Sequence, residues 1–136
     1  MQNTTPDILI TNYSMLEYML TRPVEARMFE NTKSWLQLDS HNRLLIVIDE
    51  AHMYSGASGG EGALLIKRLF SRIGVSQNEV QFILTTASMP FESEEDKTAV
   101  KTFAEDLTGC DRDSFLFLTG HKTSLDRKST RLNSSH

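Results

Sequence analysis

Apolar residues fall along this chain in two rhythms. Short unbroken runs come first: "DILI" (Asp7 to Ile10), bounded by Pro6 and Asn12, then "LLIVI" (Leu44 to Ile48), "VQFILTT" (Val80 to Thr86) and "FLFL" (115–118). Runs of this length, bounded by turn residues, predict buried strands. Between them apolar residues recur at helical spacing. Ser14 and Glu17 form an S-x-x-E capping box that predicts a helix with Met15, Leu16, Met19 and Leu20 on its apolar side. Pro23 ends that helix or starts the next. Val24 to Leu38 reads as helical, in two pieces around Asn31, with Met28, Phe29, Trp35 and Leu36 as core candidates. Glycines 56, 59, 60 and 62 predict a flexible loop, with Ser58 and Glu61 as a second capping box. The next helix carries Leu65, Ile66, Leu69, Phe70 and Ile73 on one face, and Gly74 suits its end. Ser93 to Thr108 repeats the pattern with Val100, Phe103, Ala104 and Leu107, ending at Gly109. "LLIVI" is apolar on both faces, as a central parallel strand is. Strand and helix alternate, so the expected fold class is α/β, a three-layer, mostly parallel sheet.

Composition narrows the class without changing it. The chain has 136 residues, 39% hydrophobic and 24% charged, enough for one modest domain with a core. Its longest apolar run is far too short to span a bilayer, and the polar start "MQNTTPDILI" has no signal-peptide character. The single cysteine, Cys110, excludes an internal disulfide and offers no metal cluster. These features point to the cytoplasm and away from membranes. A net charge of −4 argues against a wholesale nucleic-acid binder. Backbone amides and hydroxyls can still meet phosphates without positive charge.

The last residues, "DRKSTRLNSSH" (Asp126 to His136), have neither periodicity nor turn logic. Back-translated in one frame, they resemble a common short-read sequencing adapter. Residues 126–136 are therefore expected to be an artefactual tail and are excluded from fold reasoning. Arg127, Lys128 and Arg131 against Asp126 make the tail +2, so residues 1–125 alone carry −6 and the whole chain −4. On the same expectation the reading frame ran off a fragmentary assembly, and Met1 is an internal methionine.

Ligands of open α/β sheets bind beyond the carboxyl ends of the strands. Three such ends here are polar: Thr11-Asn12-Tyr13, Asp49-Glu50-Ala51-His52 and Thr85-Thr86-Ala87-Ser88. An acid at a strand tip, Asp49, can hold Mg²⁺ through water, because that ion keeps several waters. The next acid, Glu50, can polarise a water for attack on a γ-phosphate. Acids also end strands simply as caps, so the pair alone leaves both readings open.

The four residues "DEAH" resemble the second signature motif of superfamily 2 DEAD/DEAH-box helicases. Thr86-Ala87-Ser88 resembles the third motif, usually Ser-Ala-Thr, with the hydroxyl residues exchanged in order. "PDILITNYSMLEYML" resembles the segment containing motif Ib. The resemblance covers roughly Pro6 to Gly120 and implies a partial first RecA-like domain (a P-loop NTPase fold) over residues 1–125. It implies ATP and Mg²⁺ as cofactors, with Asp49 coordinating the metal through water and Glu50 orienting the hydrolytic water as the catalytic pair. His52 would couple nucleotide state to Thr86 and Ser88. Thr11, Asn12 and Ser14 would contact nucleic acid, DNA before RNA, at a helix start. More narrowly, "DEAHMYSGASGGEGALLIKRL" resembles the RecQ-related repair-helicase branch with a C-terminal zinc-binding domain, a pattern that phage-defence helicases share.

Several residues have plainer readings. Tyr13 and Tyr54 could stack on bases, but half-buried packing is the simpler expectation, and Lys67 and Arg68 read as a solvated helix face. The glycine cluster is not a phosphate loop, since no G-K-[ST] follows it. His41 and His121 show no metal-ligand spacing with His52. The expected function is thus a fragment of an ATP-dependent helicase or translocase. It would be inactive alone, for lack of the phosphate loop and of the second RecA-like domain with its arginine finger. A missing strand would leave an open apolar edge that weakens the fold. Two rivals stand beside it: a degenerate, non-enzymatic RecA-like module that binds a partner or nucleic acid, and another DExx motor such as a restriction or remodelling translocase.

Overall fold

The computed structural model describes residues 4–120. Four helices and two strands follow in the order α1 (Tyr13–Thr21), α2 (Ala26–Leu38), β1 (Leu44–Ile48), α3 (Ala57–Ile73), β2 (Val80–Leu84) and α4 (Glu94–Thr108), with short 3₁₀ turns between α1 and α2, β1 and α3, and α3 and β2, and another after α4. β1 and β2 pair in parallel, Leu44 opposite Val80 through Ile48 opposite Leu84. A parallel pair needs a crossover, and α3 supplies it.

Alternation along the strands sorts their residues onto two faces. Leu44, Ile46 and Ile48, with Val80, Phe82 and Leu84, meet the helices. Phe29 and Leu36 of α2 and Leu69 and Ile73 of α3 form one core cluster, with Leu16, Met19 and Leu20 of α1 against it. Ile66 and Phe70 of α3 join Val80 of β2 and Leu107 of α4 in a second. The apolar repeat read from α3 is therefore the face that both clusters share. Ion pairs Arg68–Glu17 (3.1 Å) and Arg72–Glu30 (3.2 Å) tie α3 to α1 and α2 outside the core.

Three expectations about layers and strands are corrected. The described residues form two layers rather than three: on the other face of "LLIVI", Leu45 and Val47 are 52% and 56% exposed, with Ile83 beside them. Asp7 to Ile10 is extended but unpaired, and Ile10 is 93% exposed. The run at 115–118 is likewise irregular, with Leu116 and Leu118 exposed, although Phe117 stacks on Phe91 at 4.9 Å. The physical reason is common to both runs. A strand exists only as one side of a ladder, and among the described residues no ladder partner lies beside either.

The helices also depart from their expected starts. Asn12, not Ser14, caps α1: its side-chain oxygen accepts the Met15 N–H at 2.8 Å, while Glu17 turns to Arg68. α2 runs unbroken through Asn31, whose amide donates away from the helix to Thr5 Oγ1 (2.8 Å) and so does not compete for the backbone. Trp35, a core candidate, is 48% exposed. α3 begins at Ala57, so the expected glycine loop is its first turns, and Ser58 and Glu61 lie inside it without a cap. α4 begins as expected, with Ser93 and Asp96 in a reciprocal capping box, and ends on Gly109 at φ 75°, a left-handed residue that suits glycine. His121 and the expected tail at 126–136 lie outside the described residues.

Candidate functional site

The parallel register brings the ends of β1 and β2 side by side. Beyond Ile48 opposite Leu84, the chain continues into Asp49 and Thr85, and the backbones stay joined: Thr85 N–H donates to Ile48 O (3.0 Å) and Ala51 N–H to Thr85 O (2.8 Å). Thr85 Oγ1 donates to Asp49 Oδ1, which also accepts the Glu50 N–H at 3.1 Å. Asp49 therefore leans against the neighbouring strand on one carboxylate oxygen and keeps Oδ2 without a hydrogen bond among the described residues.

Glu50 turns the chain. It has φ 50° and ψ 46°, the left-handed region that a glutamate seldom occupies, and it is the one non-glycine residue with positive φ among those described. Ala51–Tyr54 then forms a 3₁₀ turn closed by Met53 N–H to Glu50 O (2.9 Å), with Ala51 buried beneath it. The turn presents His52, whose side chain is 30% exposed. Its Nδ1 lies 3.1 Å from Thr86 Oγ1 and 3.2 Å from Glu50 Oε2. Both contacts are favourable only with the proton on Nδ1, shared between the two oxygens. Thr86 Oγ1 then accepts a second hydrogen, from the Ser88 N–H at 3.2 Å.

The structure thus gathers Asp49, Glu50, His52 and Thr86 into one cluster at the strand ends. Ser88 reaches it only through its backbone N–H. Thr85, expected among the polar strand ends but given no role there, belongs to the cluster; counting one residue past the paired strand ends places it beside Asp49. Thr11, Asn12 and Ser14 form a separate exposed edge at the start of α1. There the Asn12 side chain is occupied as the cap, and Thr11 Oγ1 makes a long 3.4 Å contact with Asn12 O.

Between the two groups stand the tyrosines. The Tyr13 ring lies 6.3 Å from that of Tyr54 at 38°, and burial pushes the Tyr13 phenol above its ordinary pKa, with Glu17 and Glu61 adding to the rise. Tyr54 rests on the glycines of α3. A Cβ added at Gly59 would sit 2.5 Å from the Tyr54 carbonyl oxygen, and one at Gly62 would sit 3.0 Å from its ring and 3.1 Å from Leu107. These two glycines are small because the turn packs onto them; at Gly60 the space is open.

No group of three His, Cys, Asp or Glu among the described residues could cage a metal. The donor set fits Mg²⁺ all the same. That ion is commonly held by one or two carboxylates, waters and substrate phosphates, and Asp49 offers one outward carboxylate oxygen at a strand tip. No helix among the described residues is long and apolar enough to cross a membrane.

Comparison with known proteins bears on the family of the chain. The DEAD/DEAH box helicase family matches residues 1–96. The chain is 52% identical over 109 residues to "Druantia protein DruE" of Escherichia coli (strain UMEA 4076-1), covering 80% of this chain and 6% of that protein. The chain therefore spans a small part of the relative's length. No solved structure matches it. A match over most of the chain, running through the Asp49–His52 turn, leaves one conclusion: the chain belongs to the DEAD/DEAH box helicase family.

Proposed function

We propose that this chain is part of the first RecA-like domain of an ATP-dependent nucleic-acid motor, acting on DNA before RNA in the cytoplasm. One observation supports this most: His52, on the turn after β1, meets Thr86, at the end of β2, while Asp49 and Glu50 face outward beside it. A nucleotide-sensing contact requires that juxtaposition of two strand ends. Asp49 would hold Mg²⁺ through water, and that ion would neutralise charge on the ATP phosphates. Glu50 would orient the attacking water. His52 and Thr86, with Ser88 supporting Thr86 through its amide, would pass the state of the site to a neighbouring domain. Thr11 and Ser14, with the free amides at the α1 start, would meet a phosphate of one strand, and Asn12 would hold that start in shape. The bare face of Leu45, Val47 and Ile83 is where a third layer would lie in a complete domain. The finer placement in the RecQ-related repair branch rests on the stretch from Asp49 to Leu69 alone.

The chain as given contains no G-K-[ST] loop, so alone it is expected neither to bind ATP tightly nor to hydrolyse it. ATPase activity of residues 1–125 that disappears in Glu50→Gln would overturn that statement. The decisive experiment extends the reading frame in a longer assembly and expresses the longer protein. Nucleic-acid-stimulated hydrolysis should fall by about a hundredfold or more in Glu50→Gln, a typical loss for a missing catalytic base, with ATP binding kept. Undiminished hydrolysis would sink the proposal. An upstream frame without a phosphate loop would favour the non-enzymatic module instead.

A further inference from the structure

We infer that Tyr54 is the positioning residue of the catalytic turn, fixing His52 against the helix behind it and linking that turn to the start of α1. The inference rests on reading Asp49 to His52 as a helicase motif, and it adds to that motif a residue outside it.

The turn that carries His52 is held at two points. At its beginning, the Ala51 N–H is bonded to Thr85 O on the neighbouring strand end. At its end stands Tyr54, where three helices converge on one side chain. Gly59 of α3 lies so close beneath the Tyr54 carbonyl that any Cβ there would collide with backbone. Gly62 of α3 and Leu107 of α4 meet at the Tyr54 ring. Tyr13, the first residue of α1, faces the ring from a third direction. Because Met53 N–H to Glu50 O closes the turn, its residues move together. Removing the Tyr54 seat therefore frees His52 on the side that the sheet does not hold.

The same contact joins two places the sequence kept apart. Tyr13 sits between Asn12, the cap of α1, and Ser14, whose hydroxyl faces solvent. Aromatic rings at this separation attract each other beyond their burial, so the Tyr13 and Tyr54 rings are mechanically coupled. A displacement of the Tyr13 ring therefore reaches Tyr54, the next ring.

The test is a spectroscopic reading of the His52 ring in the full 136-residue chain. Its ¹⁵N signals report whether the Nδ1 proton is held by Thr86 and Glu50, and His41, bonded to Asp39, serves as an internal control. Tyr54→Phe should keep the His52 signature. Tyr54→Ala should lose it while the amide shifts of β1 and β2 and the His41 signal stay in place. Tyr13→Ala should shift His52 in the same direction by less. An unchanged His52 ring in a folded Tyr54→Ala chain would overturn the inference, and an unmoved ring in Tyr13→Ala would remove its link to α1. The unmutated chain offers a reading that no unfolding variant can obscure. The amides of Met53 and Gly59 should open together in hydrogen exchange, and independent opening would overturn the inference. None of these readings depends on ATP hydrolysis, so a failed motor proposal and a failed positioning role are separate results.

Discussion

The two faces of the β1–β2 ribbon are built from similar residues and meet opposite surroundings. Leu44, Ile46 and Ile48 pack against core residues of α2, α3 and α4; Leu45 and Val47, one residue along, lie in the open. The contrast shows where the chain's stability comes from. Burial of apolar area drives folding at roughly 25 cal/mol per Å², and here β1 collects that gain on one side only. The helices are placed by their contacts to the covered face and to each other. The bare face contributes little beyond its backbone ladder, and it leaves the ribbon open to association with other apolar surfaces.

The largest expected effect tests this contrast directly. Leu107, 2% exposed, joins α4 to α3 and to the covered face. Leu107→Ala should cost about 2–5 kcal/mol, the usual range for a buried leucine that leaves a cavity. Val47→Ser should change stability by less than about 0.5 kcal/mol, as exposed substitutions do, and should raise solubility. Urea denaturation of both variants measures the difference. Equal losses would mean that the bare face is covered in solution.

The sequence was most legible where local chemistry and tertiary contact agree. The α3 repeat, the Ser93 cap and Gly109 end of α4, and the two strands ending in acids and hydroxyls could all be read from spacing alone. It was least legible where a residue's role depends on a neighbour distant in sequence. "DILI" and "FLFL" have the composition of strands, but composition cannot say whether a ladder partner lies beside them. The glycines after His52 have the composition of a loop. Gly59, Gly60 and Gly62 are nonetheless helical, and Tyr54 packs onto two of them, a contact no local pattern announces. The candidate site followed the same division. Asp49, Glu50, His52, Thr85 and Thr86 were readable as strand ends, whereas the bond of Thr85 to Asp49 required the register.

The glycines sharpen the comparison at the scale of single atoms. Gly59 and Gly62 face the packed turn; Gly60, between them, meets nothing within 4 Å. Gly60→Ala should stabilise the chain by up to about 1 kcal/mol, the usual helix-propensity difference between the two residues. Gly59→Ala gains the same propensity but must push the Tyr54 backbone aside, and overpacking of this kind costs about 1–3 kcal/mol. Thermal unfolding should therefore move in opposite directions for neighbouring glycines. Matching shifts of the same sign would mean that the turn does not rest on Gly59.

Helix starts give a smaller, pH-dependent contrast. At α4 the Asp96 carboxylate accepts the Ser93 N–H, which holds its pKa below the ordinary 3.8. Before β2, Glu79 accepts the Ser76 N–H and is held below its ordinary 4.5 in the same way. A lowered carboxylate pKa in the folded state stabilises above the unfolded value and is lost as pH falls through the folded value. The Glu79 contribution should thus be present above pH 4.5 and fade below it, and that of Asp96 should be present above 3.8 and fade below that. The α3 start has no side-chain cap and should not share in this loss. Hydrogen exchange followed down in pH should show the α4 start loosening before the α3 start, and the reverse order would count against the cap assignment.

The smallest effect bears on why the turn after β1 exists at all. Glu50 holds a left-handed backbone that costs an ordinary side chain about 1–2 kcal/mol, and asparagine tolerates it better. Glu50→Asn also removes the contact to His52, but that pair is more than half exposed on the glutamate side and contributes little. The variant should therefore be slightly more stable, by up to about 0.5 kcal/mol, the part of the strain that asparagine relieves once the lost contact is set against it. A residue that stability alone would not choose, at the point where the chain leaves β1, is what a site maintained for chemistry looks like. A measured loss of stability would instead make Glu50 a structural residue whose carboxylate holds His52 in place. The catalytic reading would then rest on Asp49 alone.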